Sequence, residues 1–230
     1  MKHFTYTAVM AAVISLSSFI SRGPATHQQH FSNSTENKLT DSVFNSLIEG
    51  NRRFVSNILQ HPHQDSVWMH KLSGAQHPKA IVLTCADSRV SPEIIFDQGL
   101  GDLFVIRNAG NVVDADVLGS MEYAIEHLGV RTVIVLGHES CGAVQATVKN
   151  LKTHNHIMNI ERSIRPAFKL AEKMPGDSVH NTVVKNVELS MKRLNADKTL
   201  VPEKMDKETV SVYGAVYDIK TGKVSKINSL

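Results

Sequence analysis

An α/β fold, with a mostly parallel β-sheet flanked by helices and a C-terminal edge hairpin, is predicted by three features of the sequence. Three short β-branched apolar runs, Ile81 to Leu83, Leu103 to Ile106 and Val130 to Leu136, each precede a stretch whose apolar residues recur at helical spacing. These strand–helix units repeat at about 30 residues, which suits parallel strands joined by right-handed crossovers. Near the C-terminus, Val210, Val212, Gly214 and Val216 alternate with Ser211, Tyr213, Ala215 and Tyr217, and Thr221-Gly222 turns the chain into Lys223 to Ile227. With 230 residues, 42% of them hydrophobic, the chain can bury one substantial core, so a single folded domain over residues 41–230 is expected.

Met1 to Ile20 starts with Lys2 and His3 and continues with an apolar run from Ala8 that is too short for a bilayer span. Residues 1–25 therefore read as a signal peptide, with Gly23-Pro24-Ala25 a poor match to a cleavage site. Export to the periplasm or the exterior, without a stable membrane span, is the expectation. Residues 26–40, rich in Gln, Ser, Asn and Thr, have little to bury and read as a flexible linker.

From Asp41 the pattern changes. Val43, Phe44, Leu47, Ile48, Phe54, Val55 and Ile58 fall mostly three or four apart, an amphipathic helix capped by Asp41 or Ser42, with Gly50 dividing it into two shorter pieces. His61 to Pro78, with Pro62, Gly74 and Pro78, is a loop carrying Trp68 and Gln76. After the first strand, Ser91-Pro92-Glu93 opens a helix that Gly99 stops. The second strand runs into Arg107-Asn108-Ala109-Gly110-Asn111, and Val117 to Leu128 forms a helix ended by Gly129. After the third strand, helices are expected over Ala143 to Leu151, His154 to Lys173 and Val179 to Leu194, the last two separated by Pro175-Gly176.

The chemistry collects at two strand ends. The first strand runs into Cys85-Ala86-Asp87-Ser88-Arg89, and the third into His138-Glu139-Ser140-Cys141-Gly142. In open parallel sheets ligands gather at the carboxyl ends of the strands, so the topology brings Cys85, His138 and Cys141 to one edge. Two thiolates and an imidazole suit Zn²⁺, and three protein ligands leave a position for water, as catalytic sites do. A Zn²⁺ held there lowers the pKa of bound water to about 7. Arg89 can grip the Asp87 carboxylate with two hydrogen bonds, turning it away from the metal as an acceptor for the nucleophile's proton; without that grip Asp87 becomes a fourth ligand and closes the site. A structural zinc, or a Cys85–Cys141 disulfide in an oxidising compartment, are the competing readings of the same residues. The net charge of +3 is mild, and the basic residues are neither clustered nor interleaved with aromatics, which argues against nucleic acid as a partner.

The two motifs together, with Arg107-Asn108-Ala109-Gly110-Asn111 and Glu122-Tyr123-Ala124, resemble the β-class carbonic anhydrases over roughly Val43 to Asp218. The resemblance implies one Zn²⁺ per subunit, held by Cys85, His138 and Cys141, with Asp87 and Arg89 as catalytic residues. It implies reversible hydration of CO₂ to bicarbonate and a proton, and assembly as a homodimer or homotetramer. By spacing before Cys85, Gln76 is similar to a glutamine that donates to substrate oxygen. Gly142 is placed to help hold bicarbonate, while Phe104, Ala109 and Tyr123 resemble positions that wall the CO₂ pocket. Gln76 as an ordinary loop residue, and Phe104 and Tyr123 as ordinary packing residues, are the plainer alternatives. A related zinc hydrolase acting on CS₂ or COS, and a bicarbonate-binding zinc protein without turnover, are the competing functions.

Overall fold

The computed structural model describes residues 26–152, 154–198, 200 and 210–227. The segment read as a signal peptide lies outside them. Among the described residues no helix is long and apolar enough to cross a membrane.

The sheet has five strands, β1 (Ala80–Cys85), β2 (Leu103–Asn108), β3 (Thr132–His138), β4 (Ser211–Tyr217) and β5 (Val224–Lys226), in the order β2-β1-β3-β4-β5. The first four run parallel and β5 is antiparallel to β4. The mostly parallel sheet is therefore as the apolar runs predict. The closing hairpin reaches the edge only through β5, because β4 pairs along its whole length with β3.

Side chains of a strand alternate between faces, and here both faces are covered. Val82, Ile134 and Leu136 pack with Tyr213 and Ala215 beneath Phe44, Leu47, Ile95 and Phe96, from helices α1 (Thr26–Val55) and α3 (Pro92–Ile95) and the end of α3. Ile81, Leu83, Val133 and Val135 face the other way, onto Val117, Met121 and Ile125 of α4 (Ala115–Glu126) and Val187, Met191 and Leu194 of α7 (Ser178–Ala196). Between β3 and α7 the chain forms α5 (Gly142–Val148) and α6 (Ile157–Ala171).

Three local expectations are corrected. The chain is already helical from Thr26, so the segment read as a linker lies within α1. A helix anchored by packing from Thr40 onward extends outward at little cost, since only nucleation is expensive. Gly50 does not divide α1: a Cβ there would lie 1.8 Å from the Phe96 carbonyl oxygen, so the glycine lets the helix back directly onto the chain that leaves α3. The polar loop before β1 contains the short helix α2 (Ser66–Leu72), capped by the Asp65 side chain. None of its residues is buried, so it has no apolar stripe to announce it.

Asp97 locks the end of α1 to the loop that follows it, and nothing local marks it. Its carboxylate is 2% exposed and accepts from Arg53 Nε at 2.6 Å and from the amides of Gln60 and His61 at 3.0 and 3.1 Å. Burial works to raise its pKa, but the Arg53 guanidinium and the two amides prevail and hold it below the ordinary carboxylate value. Asp97→Asn is expected to cost about 2 kcal/mol at neutral pH, read from the urea midpoint. A folded pKa below the unfolded one gives stability that is complete above the unfolded value and lost as pH falls through the folded value. The deficit of the asparagine variant should therefore shrink below about pH 4; a deficit that persists unchanged there would argue against the ionised pairing.

Candidate metal centre

The strand order places the site. From β1 the chain crosses to β2 on one side, and β3 lies on the other, so the direction of winding reverses between β1 and β3. Open parallel sheets leave a crevice at the carboxyl ends of the strands at such a point. The register aligns Thr84 with Leu136, so Cys85 and His138 end neighbouring strands almost level. Cys141 returns three residues later as the residue that caps α5. The intervening turn is tight, with Ser140 in the left-handed region at φ 57°.

The three residues converge. Cys85, His138 and Cys141 are all buried, and their ligand atoms lie within 4.8 Å of one another. The sulfurs are 4.0 Å apart and both cysteines are free. Two thiolates bound to one tetrahedral zinc at about 2.3 Å stand about 3.8 Å apart, whereas a disulfide needs about 2.05 Å. The His138 ring donates from Nδ1 to the Glu139 carbonyl at 2.9 Å, leaving Nε2 as the atom with a free lone pair. That Nε2 is buried and, among the described residues, has no hydrogen-bond partner. A buried acceptor facing two sulfurs without a partner is the condition a metal ion would relieve, so the residues present fit a soft divalent cation.

The electrostatics agree. The hydrogen bond from the Cys141 thiol draws Cys85 down to about 4 against the effect of burial, with His138 and the Gly110 amide adding to it. Cys141 is pushed up by its bond to the Cys85 sulfur and by its own burial. The two thiols thus oppose each other's ionisation, and a bound cation would favour the thiolate at both.

Beside this cluster, Arg89 donates from Nε to Oδ1 of Asp87 at 2.9 Å and from Nη2 to Oδ2 at 2.8 Å, and its own amide adds a third bond at 3.0 Å. The Arg89 hydrogen bond holds the Asp87 carboxyl well below the usual carboxylate range. Asp87 is engaged by arginine on both oxygens, as the two-pronged grip requires. Arg107, which belongs to the shared motif but has no role implied by it, braces this segment by donating to the carbonyls of Asp87 (2.8 Å) and Cys85 (3.2 Å).

The remaining expected residues are spread more widely. Gly142 is exposed at the start of α5. Ala109 is half-buried and opens a short 3₁₀ turn after β2. Phe104, half-buried on β2, and Tyr123, 47% exposed on α4, approach with ring centroids 6.2 Å apart. Gln76 stands exposed on the loop between α2 and β1, with no hydrogen bond to the cysteine–histidine cluster among the described residues.

Comparison with known proteins gives the same picture. A family described as carbonic anhydrase matches residues 80–224. The chain is 37% identical to a carbonic anhydrase of Mycolicibacterium smegmatis over 187 residues, covering 80% of this chain and 91% of that protein. It is 36% identical to carbonic anhydrase 2 of Mycobacterium tuberculosis, covering 79% and 90%. Among solved structures, a Coccomyxa β-carbonic anhydrase in complex with acetazolamide is 31% identical with a TM-score of 0.62, covering 71% of this chain and 78% of that one. The β-carbonic anhydrase CafA of Aspergillus fumigatus is 28% identical with a TM-score of 0.64, covering 70% and 81%. With its cysteine–histidine–cysteine cluster at the sheet's switch point and relatives matched over most of their length, this chain belongs to the carbonic anhydrase family, in its β class.

Proposed function

We propose that the protein is an exported, zinc-dependent carbonic anhydrase that interconverts CO₂ and bicarbonate, with Cys85, His138 and Cys141 holding one Zn²⁺ per subunit. The observation that carries this reading is the buried, unpartnered Nε2 of His138 facing two free sulfurs, beside an Asp87 already committed to Arg89. Zinc, when bound, supplies the Lewis acidity that brings a water's pKa near neutrality.

The chain's own residues do the rest. Arg89 keeps Asp87 ionised and occupies both of its oxygens from one side, which favours the open arrangement over one in which Asp87 is a ligand. Oδ1 takes two hydrogen bonds from Arg89 but Oδ2 takes only one and retains a second lone pair, so Asp87 can still accept a hydrogen bond from the nucleophile through Oδ2 and orient it. Gly142, at the exposed start of α5, offers its amide to bicarbonate. Phe104, Ala109 and Tyr123 form apolar walls for CO₂, and Gln76 donates to a substrate oxygen once a second subunit completes the pocket. The exposure of Tyr123 and Gln76 in the single chain supports assembly as a homodimer or homotetramer. Residues 1–25 act as a signal peptide that sends the enzyme to the periplasm or beyond.

The test is stopped-flow CO₂ hydration on protein with measured zinc content, run beside CS₂ and COS. Hydration well above buffer at one zinc per chain is the expected result. Full zinc without turnover would point to a bicarbonate-binding protein, and turnover confined to the sulfur analogues to a related hydrolase. Arg89→Ala is expected to retain zinc, to lose at least about tenfold in hydration, and to shift the zinc absorption edge as the freed Asp87 carboxylate binds the metal. An edge spectrum identical to that of the wild type would argue against the grip.

A further inference from the structure

Helix α7 contributes no ligand, yet it is joined to the metal centre at two points. At the first, the buried Asn186 donates from Nδ2 to the Gly110 carbonyl at 2.9 Å, and the Gly110 amide in turn donates to Cys85 Sγ at 3.3 Å. At the second, His180 donates from Nδ1 to the Glu139 carboxylate at 2.6 Å, and the backbone carbonyl of Glu139 accepts the Nδ1 hydrogen of His138. The contact is intimate: a Cβ at Gly137 would lie 2.6 Å from Cγ2 of Val187, so α7 packs against the backbone of β3 one residue before the histidine ligand.

We infer that Asn186 and His180 are positioning residues for the metal ligands, Asn186 setting the hydrogen bond on the Cys85 sulfur and His180 setting the ring orientation of His138. The inference rests on the reading of Cys85, His138 and Cys141 as the zinc ligands. The physical case for each arm is direct. An amide hydrogen bond withdraws charge from a thiolate and tunes how strongly it donates to a metal. The amide lies in the peptide that enters Gly110 and Asn186 holds the peptide that leaves it, so the bond restrains Gly110 in the left-handed conformation, φ 75°, that aims the amide at the sulfur. On the other flank, the Glu139 carbonyl decides which His138 nitrogen carries the proton and where the ring points. It sits beside Ser140, whose left-handed backbone is unfavourable for a residue with a side chain and has to be held by its surroundings. Two ties hold it: the Glu139 amide donates to the Tyr217 carbonyl at 2.9 Å, and the Glu139 side chain is fastened to His180. The Asp177 carboxylate caps α7 at Val179 and His180, so the anchoring end of the helix is itself fixed.

The full chain is measured by zinc competition against a chelator, by the absorption spectrum of the Co²⁺-substituted protein and by urea denaturation. Asn186→Leu and His180→Leu are expected to weaken zinc binding by about 10- to 100-fold and to shift the sulfur-to-cobalt bands, whereas His180→Gln, which retains a donor for Glu139, stays within about threefold of wild type. Asn181→Leu is the control. It removes a buried amide on the same helix that binds the Pro175 carbonyl, so it lowers the urea midpoint while leaving zinc affinity and cobalt spectrum unchanged. Wild-type affinity and spectrum in both leucine variants would overturn the inference, as would an equal loss of zinc in Asn181→Leu. If Asn186→Leu does not fold, the contrast between His180→Leu and His180→Gln, at the more exposed end of the helix, decides the matter. A wild-type chain that takes up no zinc defeats the ligand reading and this inference together; a zinc-loaded wild type matched by its variants defeats this inference alone.

Discussion

His138→Ala is expected to lose the metal and the activity in one step, with zinc content well below one per chain and CO₂ hydration at the buffer rate. The imidazole is fully buried, and among the described residues its Nε2 has no hydrogen-bond partner, so its loss removes one of the three donors that converge on the site. Its removal leaves only two sulfurs, 4.0 Å apart, to hold a cation that prefers four ligands. Cys141→Ser should behave alike, because a hydroxyl does not ionise near neutral pH and is a poor ligand for a soft metal. Neither change should unfold the chain. Val112, Val144, Ile164, Val183 and Val216 pack around the site independently of the metal, so circular dichroism should remain that of the native protein. Zinc content by atomic absorption beside stopped-flow hydration checks the expectation; one full equivalent of zinc in either variant would remove that residue from the ligand set.

Asp87→Ala is expected to separate what His138→Ala joins. Zinc should stay at one per chain, since both Asp87 oxygens are engaged by Arg89 and the carboxylate stands outside the ligand cluster. Hydration should fall by about 10²-fold or more, the usual cost of losing a positioned proton acceptor. The pH dependence gives a second check. The Arg89 hydrogen bond keeps the Asp87 carboxyl well below the ordinary range, so the group is ionised throughout the neutral region and its contribution does not vary there. The loss should therefore be constant between about pH 6 and 9, far above the ordinary carboxylate pKa. A variant at full rate would leave Asp87 without an orienting role, and a deficit that changes steeply over that interval would assign the titration to another group.

Much of the centre is legible in the sequence because of where parallel strands end. A strand buried on both faces reads as a mostly apolar run, so a metal-binding residue type at its end stands out. Cys85 after Ala80 to Thr84, and His138 after Thr132 to Gly137, are marked in this way. Asp87 and Arg89 stand only two apart, so their spacing alone suggests the carboxylate grip. Other parts leave no local trace. Helix α2 buries nothing and so has no periodicity. Asn186 reaches Gly110 across 76 residues and His180 reaches Glu139 across 41, contacts that neither partner's neighbours in sequence reveal. Asp97 reads as an ordinary acidic residue until Arg53, 44 positions away, is folded against it.

Taken alone, the order of residues determined the fold class, the succession of most strands and helices, and the three residues that could hold a metal with the Asp87–Arg89 pair beside them, since each depends on patterns within a few residues. Which strand lies beside which was decided only in three dimensions. The order β2-β1-β3-β4-β5 sets Cys85 and His138 on adjacent strand ends, puts the turn that carries Cys141 within reach, and lays α7 across both flanks of the site. The reason is physical: strand adjacency and helix docking are settled by burying two apolar faces at once, a condition on the whole chain that no short window of sequence contains.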